Sequence, residues 1–220
     1  MTISEQDYLK TIYELGGVNH LVSNKSIADA LDLSPPSVSE MIKRLVARDL
    51  IKYEPYRGVQ LTEMGQGLAV QVIRRHQLWE LWLTNELGYP LHMVHDEAER
   101  LEHVMSDELE RRLFDYLGAP TQGVLGEQIP IIGESINQVR SCSLDTCDIG
   151  GYYQISRIED DSELLKYFES LGLKLGDELY IKEYAPFQGP VTVMKNEEII
   201  IIGYKAASKI HMTLPLANKR

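Results

Sequence analysis

The run Glu99-Arg100-Leu101-Glu102-His103 sets three side chains of metal-binding type at steps of three and four residues. On a helix those positions are neighbours on one face, so two carboxylates and an imidazole can converge on one point. His95 lies one turn before Glu99, and His76 and Glu80, spaced i, i+4, share a face of an earlier segment. Leu101, Val104 and Met105 supply apolar side chains for burial beside the cluster. Oxygen and imidazole donors without sulfur suit a hard divalent cation. A solvated acidic helix face is the plainer account of the same residues.

Charge distribution bears on that choice. The 220-residue chain carries a formal net charge of −11, which taken whole argues against a nucleic-acid partner. Residues 1–75, however, hold 9 acidic and 9 basic side chains, residues 76–120 hold 10 and 3, and residues 121–220 hold 14 and 10. The excess acid sits where the candidate ligands lie, and such a segment repels itself unless cations occupy it. Hydrophobic content of 44% and charged content of 25% are ordinary for a globular chain, and the length allows one large domain or two to three small ones. No apolar run approaches the roughly 20 residues needed to span a bilayer. The start, Met1 to Asp7, lacks the basic and apolar regions of a secretion signal. Cys142 and Cys147 are too few for a disulfide framework, so a reducing cytoplasm and inert thiols are expected.

The elements that must position these residues follow from periodicity. Tyr8, Leu9, Ile12, Tyr13 and Leu15 make residues 5–15 a helix closed by Gly16-Gly17. Ser23 or Asn24 caps a short helix, Lys25–Leu31, with Ile27, Ala28, Ala30 and Leu31 inward. Ser34 then caps a third, with Pro35 at N1 and Pro36 behind it. Its apolar stripe is Val38, Met41, Ile42, Leu45 and Val46, and its other face carries Ser37, Ser39, Glu40, Lys43 and Arg44. Residues 50–62 form a hairpin around Pro55 and Gly58. Helix, short helix, turn, helix, hairpin is the order of a winged helix-turn-helix, whose second paired helix enters the major groove N-terminus first. Ser34, Pro36, Ser37 and Ser39 lie at that end. Lys43, Arg44, Lys52 and Arg57 suit phosphates.

Thr62 caps a long helix to about Leu87, where Trp79 and Trp82 exceed what one side of a small domain needs and imply packing against a second copy of the chain. One or two helices cover Leu91 to Leu117. Residues 118–150, rich in Gly, Pro, Ser and Asn, read as linker with loops, with the cysteines spaced x4 inside it. From Gly151 the pattern turns to strands Tyr152–Ile158, Glu178–Tyr184, Val191–Met194, Ile199–Ile202 and Ile210–Thr213, with helices at Ser162–Leu171 and Tyr204–Ser208. That is a small, mostly antiparallel barrel. The fold class is mainly α with a small β part, divided at 1–62, 63–140 and 150–215.

Asp96 to Asp107, preceded by Arg75-His76 and the winged helix, closely resembles the metal-dependent repressors of the diphtheria-toxin-repressor family, and within it the manganese-responsive branch. The segments Leu171-Gly172-Leu173, Gly176-Asp177 and Pro186–Pro190 are similar to the SH3-like domain of longer members. The resemblance implies a metal site of Asp7, His76, Glu99, Glu102 and His103. Iron-responsive relatives carry Met in place of Asp7 and Cys in place of Glu99. Mn(II) is therefore the expected cofactor, with Fe(II) as the other hard candidate. It further implies a homodimer on palindromic double-stranded operator DNA, repression of metal-uptake genes, no enzymatic activity and no membrane partner.

The chain departs from the family in two places. Lys10 stands where Bacillus-type manganese regulators have an acidic side chain, and a cation there disfavours a second metal. The loop Pro120–Gly126 has neither the Cys nor the His that other members place there, so a second site would rest on Glu80, His95 and Asp160. Competing accounts are a winged-helix regulator responding to iron or to an organic ligand near Trp79 and Trp82, a metallohydrolase using Glu102 as base, and a metal buffer with an idle helix-turn-helix. Since Asp7 lies on the first helix and the other ligands on the later ones, a shared cation would tie the DNA-binding part to the dimerisation part.

Overall fold

The fold is taken from a computed structural model that describes residues 1–130 and 141–214. The part of the expected linker at 131–140 lies outside the described residues. The described residues divide into two units, one of residues 1–79, 98–119 and 129–130, the other of residues 80–97, 120–128 and 141–214.

The first unit begins with α1 (Ile3–Glu14), started by a capping box in which Thr2 and Glu5 satisfy each other's backbone N–H. Ser23 caps α2 (Asn24–Leu31), and Ser34 with Pro35 starts α3 (Pro35–Ala47). Asp32 takes a left-handed conformation between them, which closes α2 and turns the chain. The wing is β1 (Ile51–Glu54) paired antiparallel with β2 (Gly58–Leu61). A Cβ at Gly58 would lie 2.2 Å from the Val22 carbonyl oxygen. Only glycine lets β2 approach the strand-like bridge at Val22, where Val22 and Val59 exchange backbone hydrogen bonds. Tyr8, Leu9, Ile12, Ile27, Val38, Ile42, Leu45, Ile51 and Val59 share one core. α1 and α3 are thus packed in the same apolar cluster.

Two expected core positions face solvent instead. Ala30 and Val46 are exposed, because each lies beside, rather than on, the stripe that Ile27 and Ala28, or Val38, Met41, Ile42 and Leu45, make at helical steps. Thr62 accepts a hydrogen bond from Gly65 N–H and starts α4 (Glu63–Leu87). α5 (Leu91–Glu102) and α6 (Asp107–Tyr116) follow, the latter capped by Ser106. Arg74 and Arg75 of α4 face Glu110 of α6 at 3.3 and 2.8 Å. Arg75 also pairs with Asp107, and the Arg74 guanidinium lies over the Phe114 ring.

In the second unit a six-stranded antiparallel sheet has the order β3-β8-β4-β5-β6-β7, with β3 (Cys142–Ser143), β4 (Tyr152–Ile158), β5 (Glu178–Tyr184), β6 (Val191–Lys195), β7 (Glu198–Ile202) and β8 (Ile210–Thr213). The helices α7 (Ser162–Ser170) and α8 (Tyr204–Ala207) join it. Strand β3 lies in the stretch read as linker. Two residues of strand are too short for a period-2 signal, yet Leu125, Leu144 and Cys147 from the same stretch enter the core with Ile155, Phe168, Leu179 and Val193. Cys142 sits on β3 rather than in a loop. Burial, followed by the neighbouring Cys142, pushes the Cys147 thiol well above its ordinary value, which keeps it a thiol rather than a reactive thiolate. No helix among the described residues is long and apolar enough to cross a membrane.

Candidate metal centre

α1, α4 and the end of α5 bring five ionisable side chains of the first unit together. Asp7 comes from α1, His76 from α4, and Glu99 and Glu102 from α5. His103 lies one residue past the α5 boundary, in the turn that follows. Val104, expected to help bury the cluster, is 73% exposed in that turn, while Met105 is buried. The helix ends before Val104, so the helical spacing that would have aimed it inward no longer applies.

Glu102 is the hub and is fully buried. Its Oε2 lies 2.6 Å from His76 Nδ1 and its Oε1 lies 3.6 Å from His103 Nε2. Two groups of donors have atoms within 4.8 Å of one another, Asp7 with Glu102 and His103, and His76 with Glu99 and Glu102. The two groups share Glu102.

His103 Nδ1 lies 2.7 Å from Gln6 Oε1. An amide oxygen only accepts, so Nδ1 carries a proton, which leaves Nε2 as the ring nitrogen that can bind a cation. Nε2 lies 3.1 Å from Asp7 Oδ1, which is buried and has no hydrogen-bond partner. The carboxylate oxygen and the ring nitrogen therefore face each other across about the separation that cis ligands take at roughly 2.1 Å from a common cation, and a proton on Nε2 or a divalent ion satisfies both. The donor chemistry fits a divalent ion on this observation. Burial pushes the Asp7 carboxyl above its ordinary value; His103 pulls it down, and Glu99 and Glu102 push it further up.

Sequence reasoning passed over Gln6, because a glutamine beside an acidic residue on a helix carries no signal until the chain position some ninety residues on is folded against it. Lys10 is a fuller case. It is buried, and its ammonium pairs with Glu99, lies 3.0 Å from Glu102 Oε2 and 3.3 Å from His76 Nδ1. Burial alone would lower its pKa, but Glu102 and Glu99 outweigh that and hold it above the ordinary lysine value.

Glu80, His95 and Asp160 meet in the second unit. His95 Nδ1 is 2.7 Å from Asp160 Oδ2 and 3.7 Å from Glu80 Oε1. Hydrogen bonds to Asp160 and then Glu80 raise the imidazole pKa to about 10, so this trio is an ion-pair cluster at neutral pH. His95 thus joins Glu80 and Asp160.

The DNA-facing candidates Ser34, Pro36, Ser37, Ser39, Lys43, Arg44 and Arg57 are all exposed. The Ser34 and Ser37 hydroxyls hydrogen-bond at 2.9 Å, and Ser39 donates to the Pro35 carbonyl at 2.9 Å. Arg44 pairs with Glu40 and Arg57 with Glu54. These are exposed pairs of small worth, easily exchanged for phosphate.

Residues 1–59 match the model of the iron dependent repressor N-terminal DNA binding domain. Residues 62–131 match that of the iron dependent repressor metal binding and dimerisation domain, and residues 142–214 the FeoA domain. The chain is 34% identical over 200 residues to the diphtheria toxin repressor of Corynebacterium efficiens, an alignment covering 86% of each. It is 42% identical over 127 residues to the diphtheria toxin repressor of Corynebacterium glutamicum, covering 58% of this chain and 56% of that one, so the match spans about half the length of that relative. Among solved structures, a manganese-dependent transcriptional repressor in complex with manganese is 33% identical, with a TM-score of 0.82 over 96% of this chain and 99% of the other.

Proposed function

Because the chain belongs to the diphtheria toxin repressor family of metal-dependent, DNA-binding transcriptional repressors, we propose that it is a cytoplasmic homodimer that represses metal-uptake genes with Mn(II) as corepressor. The observation that supports this reading most directly is the facing pair of potential ligand atoms, Asp7 Oδ1 and His103 Nε2, 3.1 Å apart. Asp7, Glu102 and His103 hold the ion, with His76 and Glu99 completing the acidic cluster around it. Three carboxylates and two imidazoles without sulfur favour Mn(II) or Fe(II) over thiophilic metals. The iron-dependent repressors among the relatives make Fe(II) the alternative.

When bound, the divalent ion would supply the positive charge that offsets buried Glu102 and half-buried Asp7 and Glu99, and would join α1 to the end of α5. The rest is done by this chain's own residues. Gln6 holds the His103 ring so that Nε2 faces the centre, as the outer partners of metal-bound imidazoles do. Asp7 transmits the tie to α1, and α1 shares its core with α3, so fixing Asp7 narrows the orientations of the recognition helix. Ser37 and Ser39 then read base edges, while Lys43, Arg44 and Arg57 hold phosphates. In the dimer, two copies of α3 reach half-sites about one helical turn apart. Coupling of about 1–3 kcal/mol gives the 5- to 150-fold response typical of such regulation. The protein acts by binding, with no catalytic step. The division of labour follows the boundaries 1–62, 63–140 and 150–215. Glu80, His95 and Asp160 form a second cation site only where binding expels the His95 proton.

Selection from a random duplex library with and without Mn(II) tests the proposal. Enrichment of a palindrome that depends on Mn(II), and that His103→Ala abolishes, is the expected result. Equal DNA affinity in the presence and absence of metal refutes it. An organic ligand as effector would leave the His103→Ala protein fully competent.

A further inference from the structure

The two donor groups that share Glu102 describe two adjoining cation positions, not one. At the first, Asp7 and His103 present a carboxylate oxygen and a ring nitrogen to each other with Glu102 beside them. At the second, His76, Glu99 and Glu102 converge, and this position is filled by the Lys10 ammonium. Asp7 and Lys10 stand three residues apart on α1, on one face, so one helix delivers a ligand to the first position and a cation to the second. Lys10 pairs with the carboxylates of Glu99 and Glu102, and His76, whose Nδ1 donates to Glu102 Oε2 at 2.6 Å, closes the third side 3.3 Å from the ammonium. The lysine side chain is only 9% exposed and Glu102 is entirely enclosed. A carboxylate so placed is costly to leave without a partner, and Lys10 supplies one before any metal arrives.

Resting on the metal-centre reading above, we propose that Lys10 is the resident cation of the second position, where it limits this centre to a single divalent ion and keeps Glu99 and Glu102 assembled in the metal-free protein. A single charge on a tether then stands where a second divalent ion would otherwise complete a carboxylate-bridged pair.

The test compares three full-length proteins, all carrying His95→Ala to silence the second cluster: Lys10 intact, Lys10→Glu and Lys10→Met. Each is titrated with Mn(II), with bound metal counted by equilibrium dialysis and metal–metal proximity read by electron paramagnetic resonance. The Lys10-intact protein takes up one ion per protomer with the hyperfine pattern of an isolated centre. Lys10→Glu takes up a second, and two ions sharing Glu102 give an exchange-coupled spectrum. Metal-free Lys10→Met unfolds at lower urea than the parent, and Mn(II) restores a larger part of its stability. A coupled pair in the Lys10-intact protein, or a single uncoupled ion in Lys10→Glu, overturns the proposal. Should Lys10→Glu fail to fold, the urea midpoint of metal-free Lys10→Met decides, and an unchanged midpoint overturns it. Absence of any bound ion in the Lys10-intact protein refutes instead the metal-centre reading on which the proposal stands.

Discussion

Asp7→Asn separates the two roles that the first unit assigns to one carboxylate. In the metal-free protein Asp7 is a liability: burial raises its pKa, Glu99 and Glu102 push the same way, and its Oδ1 lacks a hydrogen-bond partner. Replacing it by the isosteric amide removes a half-buried negative charge beside two others. The stability of the metal-free form should therefore stay within about 0.5 kcal/mol of wild type, or rise. With metal the sign reverses. Loss of even an outer-shell partner costs 10- to 100-fold in metal affinity, so losing a direct anionic ligand is set at about 100-fold. At a free Mn(II) concentration of about 100 times the wild-type Kd, binding stabilises wild type by about 2.7 kcal/mol, whereas a 100-fold weaker variant keeps only about 0.4 kcal/mol. For a chain of this length that difference is about 5–9 °C in Tm. Urea and thermal unfolding with and without Mn(II) measure both numbers. An Asp7→Asn protein that retains the full Mn(II)-dependent stabilisation would show that Asp7 holds no metal, and the tie between α1 and α5 would be lost as a mechanism.

Three further outcomes are expected. Glu110→Gln strips the charge that serves both Arg74 and Arg75 between α4 and α6 and, since Arg75 keeps Asp107, should cost about 1.5 kcal/mol in urea unfolding; a change below about 0.5 kcal/mol would show the cluster to be incidental. Lys43→Ala, on the exposed side of α3, should weaken DNA binding equally on all sequences and reduce the salt slope by about 1, while a sequence-selective effect would make it a base reader. The folded-state pKa of His95, raised from 6.5 to about 10 by Asp160 and Glu80, exceeds its unfolded value. Its contribution to stability is therefore complete below the unfolded pKa and is lost as pH rises through the folded one. NMR titration should find the ring protonated across neutral pH and Asp160→Asn should bring its midpoint down; a midpoint near the ordinary histidine value in the parent chain would contradict the cluster geometry.

Local signals carried much of the architecture. Ser34-Pro35 announced the start of α3, Ser23 the start of α2 and Thr62 that of α4, because a capping side chain acts on backbone N–H groups within three residues. The alternation in Tyr152–Ile158 and the apolar steps of Val38, Met41, Ile42 and Leu45 were legible for the same reason: each pattern is complete within one element. The spacing of Glu99 and Glu102 likewise needed only a helix to set them on one face, whereas His103 reaches the cluster from the turn past the helix end. What lay beyond the sequence is whatever depends on a partner far along the chain. Strand β3 gained its place from β8, some seventy residues away, and left too short a pattern to be read. The orphaned oxygen of Asp7, the ring orientation that Gln6 imposes on His103, and the seating of the Lys10 ammonium between Glu99, Glu102 and His76 exist only once α1 packs against α4 and α5. The sequence determined which chemical groups were on offer; burial determined which of them must share a cation, since only there is an unpartnered charge too costly to leave.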